Sequence, residues 1–185
     1  MLLAKARELV RSHVKSDNLL RHLLQVAQCM NYYANFFHQN NEEWVVTGLV
    51  HDLDYDTTKH TNPPDGHPYL GVSILKNNGF SDSIIEAVLG HADYTNVQRV
   101  TQLAKCLYAV DELSGFLNAC SRVHPSRNFE DLTFDFVMKR FNEKSFSKGI
   151  SRDVLLRGAE ELEVDFRQHV ENCINALRSD IWFWP

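Results

Sequence analysis

The residues that could do chemistry in this sequence are histidines and aspartates that interrupt apolar helical stripes or lie at a predicted helix end. They are His22, His51, Asp52, His91 and Asp111. A buried ionised carboxylate costs free energy unless an ion, an arginine or hydrogen-bond donors accompany it, and Asp111 lies in the stripe from Leu107 to Leu117. One metal ion would satisfy these groups together, because histidine nitrogens and carboxylate oxygens are both metal ligands.

The adjacent pair His51-Asp52 restricts where such an ion could bind. Neighbouring side chains on a helix diverge by about 100°, so both reach one ion only if it lies beside the helix end. In a helical bundle, His22 and Asp111 from other helices would complete that site. The mixed ligands suit Mn²⁺, Fe²⁺, Ni²⁺, Co²⁺ or Zn²⁺, and the sequence does not choose among these divalent transition metals.

The elements that must position these residues are predicted to be helices. Apolar residues recur at helical spacing almost throughout, and alternating stretches are scarce, which indicates an all-α fold. With 185 residues and neither a repeat nor a linker, a single domain over residues 1–185 is expected. We predict a helix from Leu2 to His13, one from near Asp17 to Phe37 and a short one after Asn41 that ends at His51-Asp52. A loop over 54–66 follows. The later helices are predicted from Pro68 to Gly79, after a cap at Ser81 with His91 in the helix, and from about Val97 to Ala119, with two or three more beyond.

Composition places the chain among compact globular proteins. Hydrophobic residues make up 44% and charged residues 23%, and 13 residues are glycine or proline, which excludes collagen-like and disordered classes. The net charge of −5 provides no positive field to attract a phosphate backbone. No nucleic-acid partner is therefore expected.

Cysteine spacing and hydropathy bear on the compartment. The spacing of Cys29, Cys106, Cys120 and Cys173 fits neither a CxxC pair nor a zinc knuckle, which favours reduced thiols in an intracellular protein. Charged residues interrupt the apolar start of the chain, and the other apolar runs are too short to span a membrane. The expected location is cytoplasmic, without a membrane partner.

The loop predicted over residues 54–66 is long for a compact domain, which is typical of a functional segment. Asp54 and Asp56 lie in it just past the His51-Asp52 pair. Either carboxylate could relay a proton to a leaving oxygen, and the alternative is that both are solvated loop acids.

The order of these residues resembles that of the HD-domain superfamily of metal-dependent phosphohydrolases. Residues 47–55, Thr-Gly-Leu-Val-His-Asp-Leu-Asp-Tyr, are similar to the family's central A-x-L-H-D element. Further elements are matched by His67-Pro68-x-x-Gly71, Ile85-x-x-Val88-x-x-His91 and Leu107-x-x-x-Asp111-x-x-x-Gly115. Residues 146–152 also resemble a small bacterial and archaeal branch known only as predicted HD-type hydrolases.

This resemblance implies a single-domain helical bundle that binds one or two divalent ions. On the family pattern His22, His51 and Asp111 would ligate one ion, Asp52 would bridge, and His67 and His91 would hold the second. Ala92 follows His91, so the paired histidines of the branch that cleaves cyclic dinucleotides are absent. Surroundings poor in glutamate argue against a third metal.

The resemblance also implies the reaction, which is hydrolysis of a phosphate ester in a nucleotide or another small phosphorylated metabolite. Asp52 is expected to orient the attacking water, and Asp54 is the second catalytic candidate. Arg152 and Lys105 are the candidate contacts to the substrate's phosphate, since arginine grips phosphate through two parallel hydrogen bonds.

Two other functions fit the same ligands. One is a di-iron HD-type oxygenase, and the other is a metal-stabilised nucleotide-binding module without catalysis. Separately, the aromatic carboxyl end from Ile181 to Pro185 is expected to dock on its own core or on a second copy, which would make a homodimer.

Overall fold

In the computed structural model, which describes residues 1–58 and 60–184, the chain is largely helical. The described residues contain nine α-helices, one 3-10 helix at Asp93–Thr95 and no strand, which confirms the all-α prediction. The α-helices are α1 Leu2–His13, α2 Asp17–Phe36, α3 Asn41–Val50, α4 Tyr69–Asn77, α5 Asp82–Gly90, α6 Gln102–Val123, α7 Phe134–Asn142, α8 Arg152–Glu161 and α9 Phe166–Leu177.

Polar caps set the starts of the helices that carry the site. The side chains of Ser16 and Ser81 each accept a hydrogen bond from the amide three residues further on, at the starts of α2 and α5. The Asn40 side chain accepts from two amides at the start of α3. These caps satisfy N–H groups that have no partner inside the first turn. Helix α4 is followed by Gly79 at φ +69°, a conformation that glycine adopts without steric cost.

Helix α6 begins and ends later than the apolar pattern predicts. Expected from about Val97 to Ala119, it runs from Gln102 to Val123, and the Thr101 side chain caps its first turn. Val100 shows why the prediction was wrong at this end. Its side chain matches the apolar stripe of α6, yet it lies before the helix and is 77% exposed.

Helix α2 separates two apolar clusters and contributes to both. One cluster joins α2 to α6 and α9, and the other joins α2 to α1, α3, α4 and α5. Helix α3 approaches α2 closely at Gly48, where an added Cβ would lie 2.7 Å from the Cα of Ala27. This close contact holds the end of α3 against α2, so the rings of His22 and His51 lie 5.2 Å apart.

The aromatic carboxyl end docks on its own core, the first of the two alternatives. Phe183 is fully buried in the cluster with α1, and the Arg7 side chain donates a hydrogen bond to its carbonyl at 2.8 Å. The guanidinium of Arg11 lies over the Trp184 ring at 5.2 Å. Pro185 lies outside the described residues. Among the described helices, none has the length and apolarity needed to cross a membrane.

Candidate metal centre

The fold brings all six predicted ligands together, although they come from five different parts of the chain. His22 lies in α2, His51-Asp52 directly follows α3, His67 precedes α4, His91 follows α5 and Asp111 lies in α6. The order of these histidines and aspartates in the sequence predicted them as ligands, and the packing of the helices places them around one point.

Four of the six residues form the first half of the centre. The Asp111 Oδ1 atom lies 2.9 Å from His22 Nε2 and 3.4 Å from His51 Nε2. The carboxylate of Asp52 closes this half, at 3.6 Å from His51 Nε2 and 3.9 Å from His22 Nε2. One ligand atom from each of His22, His51 and Asp52 lies within 4.8 Å of the others, which is close enough to share an ion.

The second half shares Asp52 with the first. Its Oδ1 atom lies 3.4 Å from His67 Nε2 and 3.3 Å from His91 Nε2, and these two nitrogens are 3.2 Å apart. Asp52, His67 and His91 likewise offer atoms within 4.8 Å of one another. Asp52 is therefore the residue common to both groups and would be shared by any ions that they hold.

The histidine tautomers show that these side chains suit a metal. The Nδ1 atoms of His51 and His91 donate hydrogen bonds to the carbonyls of Gly48 and Val88, and that of His67 donates to Asp54. A carbonyl only accepts, so Nδ1 carries a proton in these rings and Nε2 is the nitrogen that faces the centre. His51 Nε2 is buried and has no hydrogen-bond partner among the described residues. Such an orphaned nitrogen is costly unless something binds it, and a metal ion fits.

The centre is strongly polarised by its own charges. Burial by itself would lower the pKa of His51, but the charges of Asp52 and Asp111 outweigh it and raise that pKa to about 9. These charges therefore favour a second proton on His51, which a metal ion bound at Nε2 would displace. Burial would raise the pKa of both carboxyl groups, yet the charge of His51 holds each pKa well below its usual range. The two aspartates therefore stay ionised, which is the state that binds cations.

Five of the six residues line an open cleft with a volume of about 920 Å³, and His51 lies fully buried beneath them. The walls of the cleft come from the start of α2, the loop after α3, the 3-10 helix, α6 and α8. Besides the ligands, the lining includes Ser16, Asn18, Tyr55, Asp56, Thr58, His60, Thr61, Tyr94, Tyr108 and Glu112.

The structure gives Asp54 a different place from that of a loop acid facing the substrate. Its side chain is fully buried behind His67, where Oδ1 accepts the His67 Nδ1 hydrogen at 2.7 Å. Its Oδ2 atom accepts from the amide of Gly71 at 2.8 Å. Because both oxygens are engaged away from the cleft, Asp54 is placed to orient His67 and not to reach a substrate in the cleft. The neighbouring Asp56 accepts from the amides of Lys15 and Ser16 and does line the cleft.

Both candidate phosphate contacts lie away from the centre, which corrects the sequence-based prediction. The Arg152 guanidinium donates to backbone carbonyls of residues 140–150, including Phe141 and Phe146, and lies over the Phe116 ring at 4.5 Å. These hydrogen bonds hold the turn after α7 in place and occupy the N–H groups of the guanidinium. Lys105 lies in a separate depression and pairs with Glu163 at 3.4 Å.

Three cleft residues escaped the sequence analysis. Tyr55 and Tyr94 were hidden among loop residues, and their only signal is their position three residues after the ligands Asp52 and His91. Glu112 follows Asp111 directly and lines the cleft. Burial and then the charge of Asp111 raise the pKa of Glu112 to about 7.

A helical bundle that gathers histidines and aspartates from several helices around one point is typical of metal-binding proteins. The chain matches the HD domain family over residues 19–115, just over half of its length. It therefore belongs to the HD domain family. All six cluster residues lie inside the matched segment, and proteins of this family are generally metal-dependent hydrolases.

Similarity to individual proteins is more distant. Ribonuclease Y of Oleidesulfovibrio alaskensis is 29% identical over 100 residues, and ribonuclease Y of Rhodopirellula baltica is 27% identical over 128 residues. The alignments cover 54% and 69% of this chain but 18% and 22% of those ribonucleases. The chain thus spans about a fifth of the length of these curated relatives. No solved structure matches the chain.

Proposed function

We propose that this protein is a metal-dependent phosphohydrolase that cleaves a phosphate ester of a nucleotide or another small phosphorylated metabolite. The observation that carries the proposal is the position of Asp52, whose Oδ1 lies within 3.6 Å of Nε2 of His51, His67 and His91. A closed structural site needs four ligands, whereas this centre offers six and opens into a cleft. The surplus ligands and the opening favour catalysis.

The residues of the centre would take different parts in this reaction. Divalent ions bound at the centre would supply an activated water and polarise a phosphoryl oxygen. Asp52 lies between the two halves, from where its carboxylate would orient the attacking water and accept its proton. Asp54 and the carbonyls of Gly48 and Val88 keep three imidazole rings directed at the centre.

The size of the cleft supports a small substrate. Its volume of about 920 Å³ lies in the range of small-molecule sites, about 300–1,000 Å³. The two relatives are named as ribonucleases, but they share only their matched segments with this chain. A small phosphorylated molecule is therefore the proposed partner, and the cytoplasm is the proposed location.

Metal analysis and a phosphatase assay on the same protein test the proposal. Protein purified without chelator should carry one or two transition-metal ions per chain and release phosphate from p-nitrophenyl phosphate or nucleoside monophosphates after Mn²⁺, Co²⁺ or Ni²⁺ addition. His51→Ala should lose both metal and activity. His124→Ala is the matched control, because this histidine contacts Ser126 outside the cleft and should leave both unchanged.

The alternatives give different results in the same experiment. Metal lost in His51→Ala from a protein with no phosphatase activity would refute the hydrolase and favour a metal-stabilised binding module. About two irons per chain, with O₂ consumed and no phosphate released, would favour the oxygenase. Absence of metal uptake altogether would mean that the cluster is structural.

A further inference from the structure

Two tyrosine rings are exposed at the cleft, beside the half of the centre that Asp52, His67 and His91 form. The Tyr55 side chain is 59% exposed and that of Tyr94 is 46% exposed, and both line the cleft. Aromatic rings carry large apolar faces, and two such faces at one cleft form an apolar surface beside its polar groups. At a ligand cleft, their exposure indicates a surface that a bound molecule covers.

Both rings are attached to the centre through His67. The ring of Tyr55 and the imidazole pack edge to face, with centroids 5.4 Å apart and planes at 82°. The Tyr94 hydroxyl donates to the His67 carbonyl at 3.1 Å. These contacts fix the two rings relative to a metal ligand before any substrate arrives. Rings that are already fixed lose little conformational entropy on binding, which makes them efficient contacts.

The backbone that carries the rings is also held in place. The Tyr55 amide donates to the Asp52 carbonyl at 3.0 Å, in the turn that directly follows α3. The Asn96 side chain donates to the Tyr94 carbonyl at 3.3 Å. Next to Tyr94, the Asp93 carboxylate is paired with the guanidinium groups of Arg99 and Arg157. The backbone segments that carry Tyr55 and Tyr94 are therefore held in place by the fold.

The remaining walls of the cleft supply short hydrogen-bonding side chains. Asn18, Thr58 and Thr61 line it together with the two tyrosines. A planar heterocycle would cover the ring faces while its polar edge and attached sugar find donors and acceptors. A phosphorylated sugar without a base would leave the tyrosines uncovered.

We infer that Tyr55 and Tyr94 form a base-stacking subsite and that the substrates of this protein are nucleoside phosphates. The inference rests on the proposed function, because it places the phosphate ester at the metal centre and the base on the tyrosines. Loss of one stacking ring from a nucleic-acid-binding site weakens binding by about tenfold or more. The same loss is expected here.

Kinetics with paired substrates test the subsite. In Mn²⁺-loaded full-length protein, Tyr55→Ala and Tyr94→Ala should each raise the KM for adenosine monophosphate about tenfold and leave the KM for ribose 5-phosphate unchanged. Tyr94→Phe keeps the ring and loses only the hydroxyl bond to the His67 carbonyl, so its KM should rise less than that of Tyr94→Ala. Phe36→Ala removes an aromatic ring that is 47% exposed outside the cleft, and it serves as the matched control.

Calorimetric titration with adenosine, which has no phosphate to cleave, measures the subsite without turnover. Binding by the wild type that is lost in Tyr55→Ala supports the inference. Equal changes in KM for both substrates, or no adenosine binding and no change in either KM, would overturn it. If no phosphate ester is hydrolysed but adenosine binds through Tyr55, the proposed function is refuted while the subsite stands.

Discussion

Replacing Asp54 by asparagine should weaken the second half of the metal centre without touching a ligand. In the wild type, one carboxylate oxygen accepts the His67 Nδ1 hydrogen and the other accepts the Gly71 amide hydrogen. Asparagine has one oxygen and one NH₂ group, so it can satisfy only one of these two donors. If its oxygen keeps the Gly71 amide, the NH₂ group faces His67 and forces the imidazole proton onto Nε2. That proton then occupies the lone pair directed at Asp52 and the ion.

The size of the effect follows from the burial of this contact. The side chain of Asp54 is fully buried, so water cannot replace the lost acceptor. Removing an outer partner of a metal-ligating histidine typically lowers metal affinity by about 10- to 100-fold. This range corresponds to about 1.4 to 2.7 kcal/mol of binding free energy. Among the described residues, the Asp54 side chain hydrogen-bonds to His67 and Gly71 and not to His22, His51 or Asp111, so the half formed by those three should change less.

Titration of metal-free protein with Mn²⁺ or Co²⁺ in a calorimeter measures both halves. Asp54→Asn should show one binding step near its wild-type affinity and one that is about 10- to 100-fold weaker. Asp65→Asn is the matched control, since it removes the same charge from an exposed position of the same loop. Equal weakening of both steps would show that the variant disturbs the whole fold, and unchanged affinities would refute the orienting role of Asp54.

Three further predictions concern stability. His169 is buried and donates to the Ala109 carbonyl, and burial lowers its pKa to about 4. A histidine in the unfolded chain titrates near pH 6.5. The contribution of neutral His169 to the free energy of unfolding is therefore complete above about pH 6.5, and about 3 kcal/mol of it is lost as the pH falls through 4. His169→Gln should flatten that part of the pH profile in urea unfolding, and parallel profiles would refute the assignment. Gly48→Ala forces a Cβ to 2.7 Å from the Ala27 backbone and should cost about 1–3 kcal/mol in the same assay, whereas Gly149→Ala meets no atom within 4 Å and should cost far less. Arg152→Met should lower the free energy of unfolding by about 2 kcal/mol or more, because the hydrogen bonds to the backbone carbonyls are lost, and should leave the KM for a phosphorylated substrate unchanged. A raised KM in a protein of wild-type stability would instead assign Arg152 to the substrate site.

Most of the candidate metal ligands were accessible from the sequence because they break a local pattern, whereas His67 was assigned only through the family resemblance. Asp111 stands out as a carboxylate in an apolar stripe, and the His51-Asp52 pair stands out at a helix end. Their number and order along the chain then matched a known family. Helix starts at Ser16, Asn40 and Ser81 were similarly readable, because capping is a property of a few consecutive residues.

The roles of Arg152 and Asp54 were not accessible in this way. A charged side chain in a polar segment has the same local sequence whether it faces a substrate or binds backbone carbonyls. Arg152 was assigned to the substrate from its chemistry and from the family resemblance, but the turn after α7 surrounds it with acceptors. Asp54 was read as a loop acid, and the packing of His67 and α4 buried it.

By itself, the sequence determined the helical class, several helix starts and the set of candidate metal ligands, because periodicity, capping and buried charge act over a few residues at a time. Only the tertiary structure decided which ligand atoms meet, which tautomer each histidine adopts and which tyrosines face the cleft. Those outcomes depend on contacts between residues far apart in the chain, such as Gly48 against Ala27 and Asp54 against His67. Such contacts form only when the helices pack, and no local pattern encodes their distances.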